Sequence, residues 1–292
     1  MKVLNFGSVN IDITYKVKDF VRAGETISSY AVERHAGGKG FNQSIAMARA
    51  GLTVYHAGCI GSDGIFLREE LDKAGVDTRY LKLGETPTGN AIIQVNNEGN
   101  NCIILYAGAN YSITEAYIDQ VLNDFEQGDV LVVQNEISCM EYLVNTAHEK
   151  GMKIAINPSP MNESINHSML AKATWLLVNE LEAAEIAAFE EEQRSIGALA
   201  DMFPEALIVM TLGSEGVLYK DKEQVLHQGI YSVAAVDTTG AGDTFTGYFL
   251  ASVLKGCSHK QALDVASKAA AISVTKPGAA ESIPTMEQVL AF

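Results

Sequence analysis

A glycine-rich turn with a carboxylate directly behind it lies at residues 236–245 of the 292-residue sequence. Apolar residues then recur at steps of three and four, so the sequence predicts a helix that starts near Gly240. The unpaired N–H groups and partial positive charge of such a helix start favour a bound phosphate. Gly240 and Gly242 permit close approach, and Asp243 is placed to take a proton from an attacking hydroxyl. A capped helix in which Asp243 only offsets the dipole is the alternative.

The composition and charge of the chain limit the class of protein. With 47% hydrophobic and 20% charged residues, residues 1–292 can bury a large core as one domain, or as one domain with an insertion. No apolar stretch reaches bilayer length and the N-terminus leads straight into a strand, so we expect a cytoplasmic protein. A net charge of −15 argues against nucleic acid and membranes as partners. The same charge would repel a phosphate ligand, so such a ligand would need local compensation by the helix start, nearby lysines and magnesium.

Short β-branched runs alternate with helical segments along most of the chain. Such an order predicts an α/β fold with a mainly parallel sheet covered by helices on both faces. Two stretches, at about 12–34 and 89–106, break the alternation, and the second is typical of a β-hairpin around a turn at 96–101. A small sheet built from both would expose an apolar face unless it closes over a ligand or a second subunit.

A second glycine-rich segment, Gly-Gly-Lys-Gly-Phe-Asn-Gln at residues 37–43, also precedes a helical run. Together the two segments resemble the paired signatures of the ribokinase-like carbohydrate kinases, the PfkB family, and within it those of the ribokinases most. Segments 7–12, 24–26, 107–110 and 179–182 match the family in order and approximate spacing. The resemblance therefore covers nearly the whole chain.

The resemblance implies a three-layer α/β kinase with a β lid that covers the sugar and forms a homodimer contact. The implied activity is ATP-dependent transfer of the γ-phosphate to a primary sugar hydroxyl. Asp243 would act as general base, and the amides of Gly240, Ala241 and Gly242 would stabilise the phosphoryl oxygens. A dinucleotide-dependent oxidoreductase is disfavoured because segment 7–12 lacks the second and third glycines of that fingerprint.

Carboxylates and amides near strand ends are the candidates for a sugar site, since polyols are bound by groups that make several hydrogen bonds at fixed positions. Asn10 and Asp12 lie just beyond the first predicted strand, where open α/β sheets place their ligands. The resemblance adds the rest of the predicted sugar site: Gly38, Lys39, Asn42, Glu136 and Asp243. Taken singly, an Asx turn, a solvated lysine or a loop acid explains each of them equally well.

The resemblance also implies nucleotide and metal sites. The predicted ATP-binding residues are Asn179, Thr211, Gly213, Gly216 and Gly242. Glu182 would position magnesium, partly through water, although an acidic residue in a first helical turn is also expected from the dipole alone. The residues that would surround a monovalent cation, potassium by resemblance, are Asp237, Thr239, Ser273, Lys276, Gly278 and Ser282. Backbone carbonyls do most of that binding, so the sequence specifies it poorly.

Ribose is the expected acceptor because the residues of the predicted sugar site match the ribokinases. Deoxyribose, other furanoses, ketohexoses and nucleosides stay open, as does a catalytically silent sugar-binding regulator on the same fold. Two residues depart from the family pattern. Phe41 stands where a small residue is common beside the sugar and could narrow the pocket, and Phe66 stands where glycine is usual at a helix start.

Overall fold

The computed structural model describes residues 1–188 and 192–292 as two β-sheets, with helices packed around the larger one. The strands of the large sheet are β1 (Val3–Phe6), β4 (Val54–Ile60), β5 (Asp77–Leu83), β8 (Val130–Gln134), β9 (Lys153–Asn157), β10 (Trp175–Asn179), β11 (Leu207–Thr211), β12 (Val217–Lys220) and β13 (Val225–Gln228). Those of the small sheet are β2 (Asn10–Lys16), β3 (Ala31–Gly37), β6 (Gly89–Val95) and β7 (Asn101–Tyr106). The helices are α1 (Lys39–Arg49), α2 (Ile65–Lys73), α3 (Glu115–Leu122), α4 (Met140–Glu149), α5 (His167–Leu170), α6 (Glu180–Ala187), α7 (Glu192–Met202), α8 (Ala241–Leu254), α9 (His259–Ser273) and α10 (Met286–Ala291). No helix in these two ranges is long and apolar enough to cross a membrane.

The nine strands of the large sheet lie in the order β13-β12-β11-β10-β9-β8-β1-β4-β5. The seven strands from β11 to β5 run parallel, and β12 and β13 complete one edge as antiparallel strands. Central strands are apolar on both faces, so that Val3 and Leu4 pack into opposite core clusters. Helices α3, α4, α6 and α7 cover one face and α1, α2, α8 and α9 the other. The predicted three-layer α/β fold is confirmed.

The small sheet, which we call the lid sheet, has the strand order β3-β2-β6-β7. Strands β6 and β7 form the antiparallel hairpin predicted at 89–106. The other half begins at Asn10 and ends at Gly37, outside the predicted bounds of 12–34, because these two residues pair at the base of β2 and β3. Along β7 the side chains of Ile103, Ile104 and Leu105 are more than half exposed. One edge of the lid sheet therefore presents an apolar surface.

Two glycines in left-handed backbone conformations start the helices that carry the predicted chemistry. Gly240 has φ of +74° directly before α8, and Gly38 has φ of +96° directly before α1. A side chain on Gly38 would lie 3.0 Å from the backbone nitrogen of Asn10 and the carbonyl oxygen of Ser8. The predicted helix start near Gly240 is confirmed, whereas α1 begins at Lys39, within the segment 37–43 that was predicted to precede the helix. The backbone conformation favours glycine at both starts.

Candidate active site

Asp243 lies in the first turn of α8 with its side chain buried. Asn42 Nδ2 donates to its Oδ2 over 3.0 Å, and Gln43 Nε2 donates to its Oδ1 over 2.9 Å. Both donors come from α1, the helix that packs beside α8. The carboxylate is thus held in one orientation by two amide donors.

The carboxylate faces a cavity formed where the predicted motifs converge at the C-terminal edge of the large sheet. The predicted site residues that line it are Lys39, Asn179, Glu182, Thr211, Gly240, Gly242 and Asp243. Asn157 and Ser159 line it as well, and sequence reasoning assigned neither a role. Asn157 ends β9 and Ser159 comes two residues later. Ligands bind at the carboxyl ends of parallel strands, so this rule could have identified both residues.

A second cavity lies under the lid sheet and is lined by Asn10 and Glu136 together with residues from the end of β7. Asn110, another lining residue, was missed as a site residue although it belongs to the matching segment 107–110. Its Nδ2 donates to Asn10 Oδ1 over 2.8 Å, and its Oδ1 accepts the backbone N–H of Val9 over 3.0 Å. Asn110 therefore fixes the rotamer of Asn10.

Asp12 lies on β2 opposite His35 of β3. Gly37 leaves the space for its carboxylate, since a side chain there would lie 2.0 Å from Asp12 Oδ2. Burial raises the pKa of Asp12 to about 6, with a further increase from the Glu136 carboxylate, an opposing effect of His35 and a smaller increase from Asp243. Asp12 and Glu136 therefore lie close enough to interact electrostatically in a buried region.

Glu136 and Lys39 connect the two cavities. Glu136 Oε2 accepts hydrogen bonds from the hydroxyl of Ser8 and, over 3.2 Å, from the backbone N–H of Lys39. Burial raises the pKa of Glu136, and the Lys39 ammonium opposes that increase. Burial alone would lower the pKa of Lys39, but the carboxylates of Asp243, Glu136 and Glu182 outweigh it and raise the pKa. Lys39 therefore stays charged beside the cavity that contains the start of α8.

Glu182 closes a capping box at the start of α6. Its backbone N–H donates to Asn179 Oδ1 over 2.8 Å, and its Oε2 accepts the N–H of Asn179 over 3.0 Å. The carboxylate still lines the cavity that contains Asp243, so the capping and ligand-facing positions coincide. Among residues 1–188 and 192–292, no three acidic, histidine or cysteine side chains gather as a metal cage.

The other predicted nucleotide residues are divided by the structure. Thr211 ends β11 and lines the cavity, whereas Gly213 and Gly216 lie in the following turn, outside its lining. Gly216 has φ of +96°, and a side chain there would lie 2.1 Å from the carbonyl oxygen of Gln228. The approach of β13 thus explains glycine at 216 without a ligand.

The six residues of the predicted cation site lie on two loops that are tied together and at the end of α9, where Ser273 is the last residue. Asp237 Oδ1 accepts both the backbone N–H and the hydroxyl of Thr239, and Asp237 Oδ2 accepts the N–H of Gly278 over 2.9 Å. Burial opposes ionisation of Asp237, but these hydrogen bonds prevail and lower its pKa. Ser273 and Ser282 donate their hydroxyls to backbone carbonyls three residues earlier, and the side chain of Lys276 is exposed.

The two phenylalanines that depart from the family pattern lie away from the Asp243 cavity. Phe41 is fully buried in the core with Ile45 and Phe245, and neither cavity described above includes it in its lining. The expectation that it narrows the pocket is not met. Phe66 on α2 lies under the Arg34 guanidinium, 4.7 Å from ring centroid to Cζ. Phe66 therefore connects lid strand β3 to α2, a helix that packs on the large sheet.

Comparisons with known proteins agree with this geometry. The model of the pfkB family of carbohydrate kinases matches residues 1–286. A ribokinase of Haemophilus influenzae is 35% identical over 98% of this chain and 96% of its own. The structure of a Cryptococcus neoformans ribokinase in complex with ADP superposes with a TM-score of 0.85 at 36% identity, covering 99% of both chains. That of an Arabidopsis thaliana ribokinase with ribose and ATP has a TM-score of 0.88 at 29% identity, covering 99% and 97%.

Proposed function

Since this chain belongs to the pfkB family of carbohydrate kinases, we propose that it transfers the γ-phosphate of ATP to the primary hydroxyl of ribose. The observation that carries the proposal is the Asp243 carboxylate, held by Asn42 and Gln43 at the start of α8. It faces the cavity lined by Lys39, Glu182 and the α8 glycines. A proton acceptor and an anion site thus adjoin each other, as phosphoryl transfer from a nucleotide to an alcohol requires.

In the proposed mechanism Asp243 takes the proton of the sugar hydroxyl as the hydroxyl oxygen attacks the γ-phosphorus. The bond between the γ-phosphorus and the β,γ-bridging oxygen breaks, and ADP leaves. The amides of Gly240, Ala241 and Gly242 and the Lys39 ammonium stabilise the phosphoryl oxygens. The proposed ATP site includes Asn179, Thr211, Gly213 and Gly216. Two of these residues, Asn179 and Thr211, line the cavity, which supports their assignment. Magnesium would neutralise phosphate charge, and Glu182 would hold it through water.

The acceptor is proposed from the cavity under the lid sheet and from the relatives. The proposed sugar ligands are Asn10, Asp12, Gly38, Lys39, Asn42 and Glu136. Support for ribose comes from the Haemophilus influenzae ribokinase and from the Arabidopsis thaliana ribokinase crystallised with ribose and ATP. A deoxyribokinase of Salmonella typhi is 29% identical, so deoxyribose is the second candidate acceptor.

Three further features belong to the same proposal. Potassium would bind between the loops joined by Asp237, Thr239 and Gly278, with Ser273, Lys276 and Ser282 nearby. A homodimer would form through the lid sheet, because the exposed apolar side chains of β7 are suited to contact with a second subunit. The enzyme would act in the cytoplasm.

The test is ADP release from ATP and magnesium across a panel of pentoses, hexoses and nucleosides, with potassium present and absent. We expect turnover on ribose and a loss of kcat of at least about 100-fold in Asp243→Asn, the low end of general-base contributions. Asp119→Asn is the matched control, because this exposed carboxylate lines neither cavity and its replacement should leave kcat unchanged. Tight ribose binding with no turnover on any acceptor would favour the regulator instead.

A further inference from the structure

A row of buried amide side chains runs from Asp243 into the interior between α1 and the large sheet. Gln43, Gln134 and Asn5 are each fully buried. Gln134 Nε2 donates to Gln43 Oε1 over 2.7 Å and to Asn5 Oδ1 over 3.0 Å. Gln43 Nε2 donates in turn to Asp243 Oδ1 over 2.9 Å. Three side chains thus connect the carboxylate to β1 and β8, which lie in the middle of the sheet.

The direction of these hydrogen bonds is fixed from the far end of the row. Asn5 Nδ2 donates to the carbonyl oxygen of Gly40 over 2.8 Å, and a carbonyl can only accept. The Asn5 oxygen must therefore face Gln134, and Gln134 must donate to it from its NH2 group. Because that NH2 group also reaches Gln43, Gln43 presents its oxygen to Gln134 and its nitrogen to Asp243.

A second anchor imposes the same orientation on Gln43. Asn157 Nδ2 donates to the carbonyl oxygen of Leu177 over 3.0 Å, so Asn157 turns its Oδ1 towards Gln43. Gln43 Nε2 donates to that oxygen over 3.1 Å with one hydrogen, and its other hydrogen points to Asp243. Two backbone carbonyls on separate elements therefore determine which end of the Gln43 amide faces the carboxylate.

The arrangement leaves Gln134 Oε1 buried without a hydrogen-bond partner among the residues that the structure describes. An unpaired buried oxygen is unfavourable, yet the reversed amide would place that oxygen against the oxygens of Asn5 and Gln43. The fold thus retains an unfavourable group at the side chain that links Asn5 to Gln43.

We propose that Gln43 is a positioning residue for the general base and that Gln134, which lines neither cavity, acts together with Asn157 to lock it in the donating orientation. This inference rests on the proposed function, because it gives Gln43 an effect only through Asp243. A freely rotating Gln43 would present its oxygen to the carboxylate part of the time and repel it from the attacking position. The locked amide removes that state before the sugar binds.

The experiment is a double-mutant cycle in kcat with Gln43→Met, Gln134→Met and the double variant, at saturating ATP and ribose. Methionine keeps the length of glutamine and removes its hydrogen bonds. We expect Gln43→Met to lower kcat about tenfold and Gln134→Met about three- to tenfold, within the range of small misplacements of a catalytic group. The double variant should fall about tenfold and not by the product of the two, because both changes release the same carboxylate. The affinity for ribose measured by calorimetry should change less than twofold.

Controls separate positioning from loss of stability. Ser252→Ala removes another buried hydrogen bond, from the Ser252 hydroxyl to the carbonyl of Tyr248, and should leave kcat unchanged at a comparable loss in Tm. If Gln134→Met does not fold, Gln134→Glu replaces it. A carboxyl group has at most one proton to donate, whereas Gln134 donates to both Asn5 and Gln43, so kcat should fall in this variant as well.

The outcomes distinguish this inference from the proposed function. Wild-type kcat in folded Gln134→Met, or multiplicative losses in the double variant, would overturn the inference. In an Asp243→Asn background, Gln43→Met should have no further effect on the residual turnover. A further tenfold loss there would show that Gln43 acts independently of Asp243. Normal turnover in Asp243→Asn alone would instead reject the general base, and with it the proposed mechanism.

Discussion

Replacement of Asp12 by asparagine tests whether a buried carboxylate is retained for ligand binding at a cost in stability. Burial and the neighbouring Glu136 carboxylate raise the pKa of Asp12 from 3.8 to about 6. If the ionised carboxylate accepts hydrogen bonds from the sugar hydroxyls, sugar affinity follows its ionisation. At pH 5 only about one Asp12 in ten is charged, so ribose should bind about tenfold more weakly than at pH 8, where ionisation is nearly complete.

The same shift predicts the opposite sign for folding. A carboxyl whose pKa is higher in the folded than in the unfolded state binds its proton more tightly when folded, so its ionisation destabilises the fold. The penalty is absent below about pH 4, grows as the pH rises to about 6 and then stays constant at about 2–3 kcal/mol. Asp12→Asn removes the charge and should therefore raise the free energy of unfolding at pH 8 by up to that amount, with no gain near pH 4.

Two measurements check both signs on the same protein. Isothermal titration calorimetry with ribose alone, between pH 5 and 8, should give a pH-dependent affinity for the wild type and a weak, pH-independent one for Asp12→Asn. Urea unfolding of the two proteins at pH 4 and pH 8 gives the stability difference. Asp119→Asn, an exposed change, should leave both unaltered. A wild-type affinity that is constant from pH 5 to 8, or a destabilised Asp12→Asn protein at pH 8, would refute the reasoning.

Three more predictions concern the lid sheet and the proposed magnesium site. Phe66→Ala removes the ring beneath Arg34. Steady-state kinetics should show a KM for ribose raised about two- to fivefold with little change in kcat, because an exposed cation–π contact contributes free energy of that size. Glu182→Gln keeps an oxygen that can accept the N–H of Asn179 but loses the charge. The magnesium concentration for half-maximal rate should therefore rise several-fold while Tm stays constant. An unchanged magnesium titration would contradict a role of Glu182 in magnesium binding. Ile104→Lys places a charge on the exposed surface of β7 and should convert a dimer to monomers in sedimentation velocity, and an unaltered sedimentation coefficient would place any dimer contact elsewhere.

The parts of the fold that depend on local pattern could be predicted from the sequence. The start of α8 at Gly240 and the hairpin at 89–106 follow from glycine placement and residue periodicity, and both are observed. The need for glycine at position 216 could not be predicted from local sequence, because the carbonyl oxygen of Gln228 on another strand leaves no room for a side chain there. Its assignment to ATP binding therefore stays a prediction.

The support of the site was beyond sequence reasoning for the same reason. Gln134 reads as one more residue of an apolar strand, and its partners lie 91 and 129 positions away in the chain. Asn110 stands 100 positions from Asn10. Resemblance to a family names the residues that face the ligand, whereas the residues that orient them are found only when the chain is folded.

Strand β2 has a consequence for any attempt to change the acceptor of this enzyme. Only three residues separate it from β1 of the central sheet, and it carries both Asn10 and Asp12 on its way into the lid sheet. The cover of the cavity and Asn10 in its lining therefore belong to one continuous piece of chain, and β2 cannot be trimmed without removing Asn10 from that lining. The hairpin β6–β7 contributes Leu105 and Tyr106, at the end of β7, to the same lining. An engineer who wants a larger acceptor should therefore lengthen or exchange the turn between Val95 and Asn101 and leave β2 and the end of β7 intact.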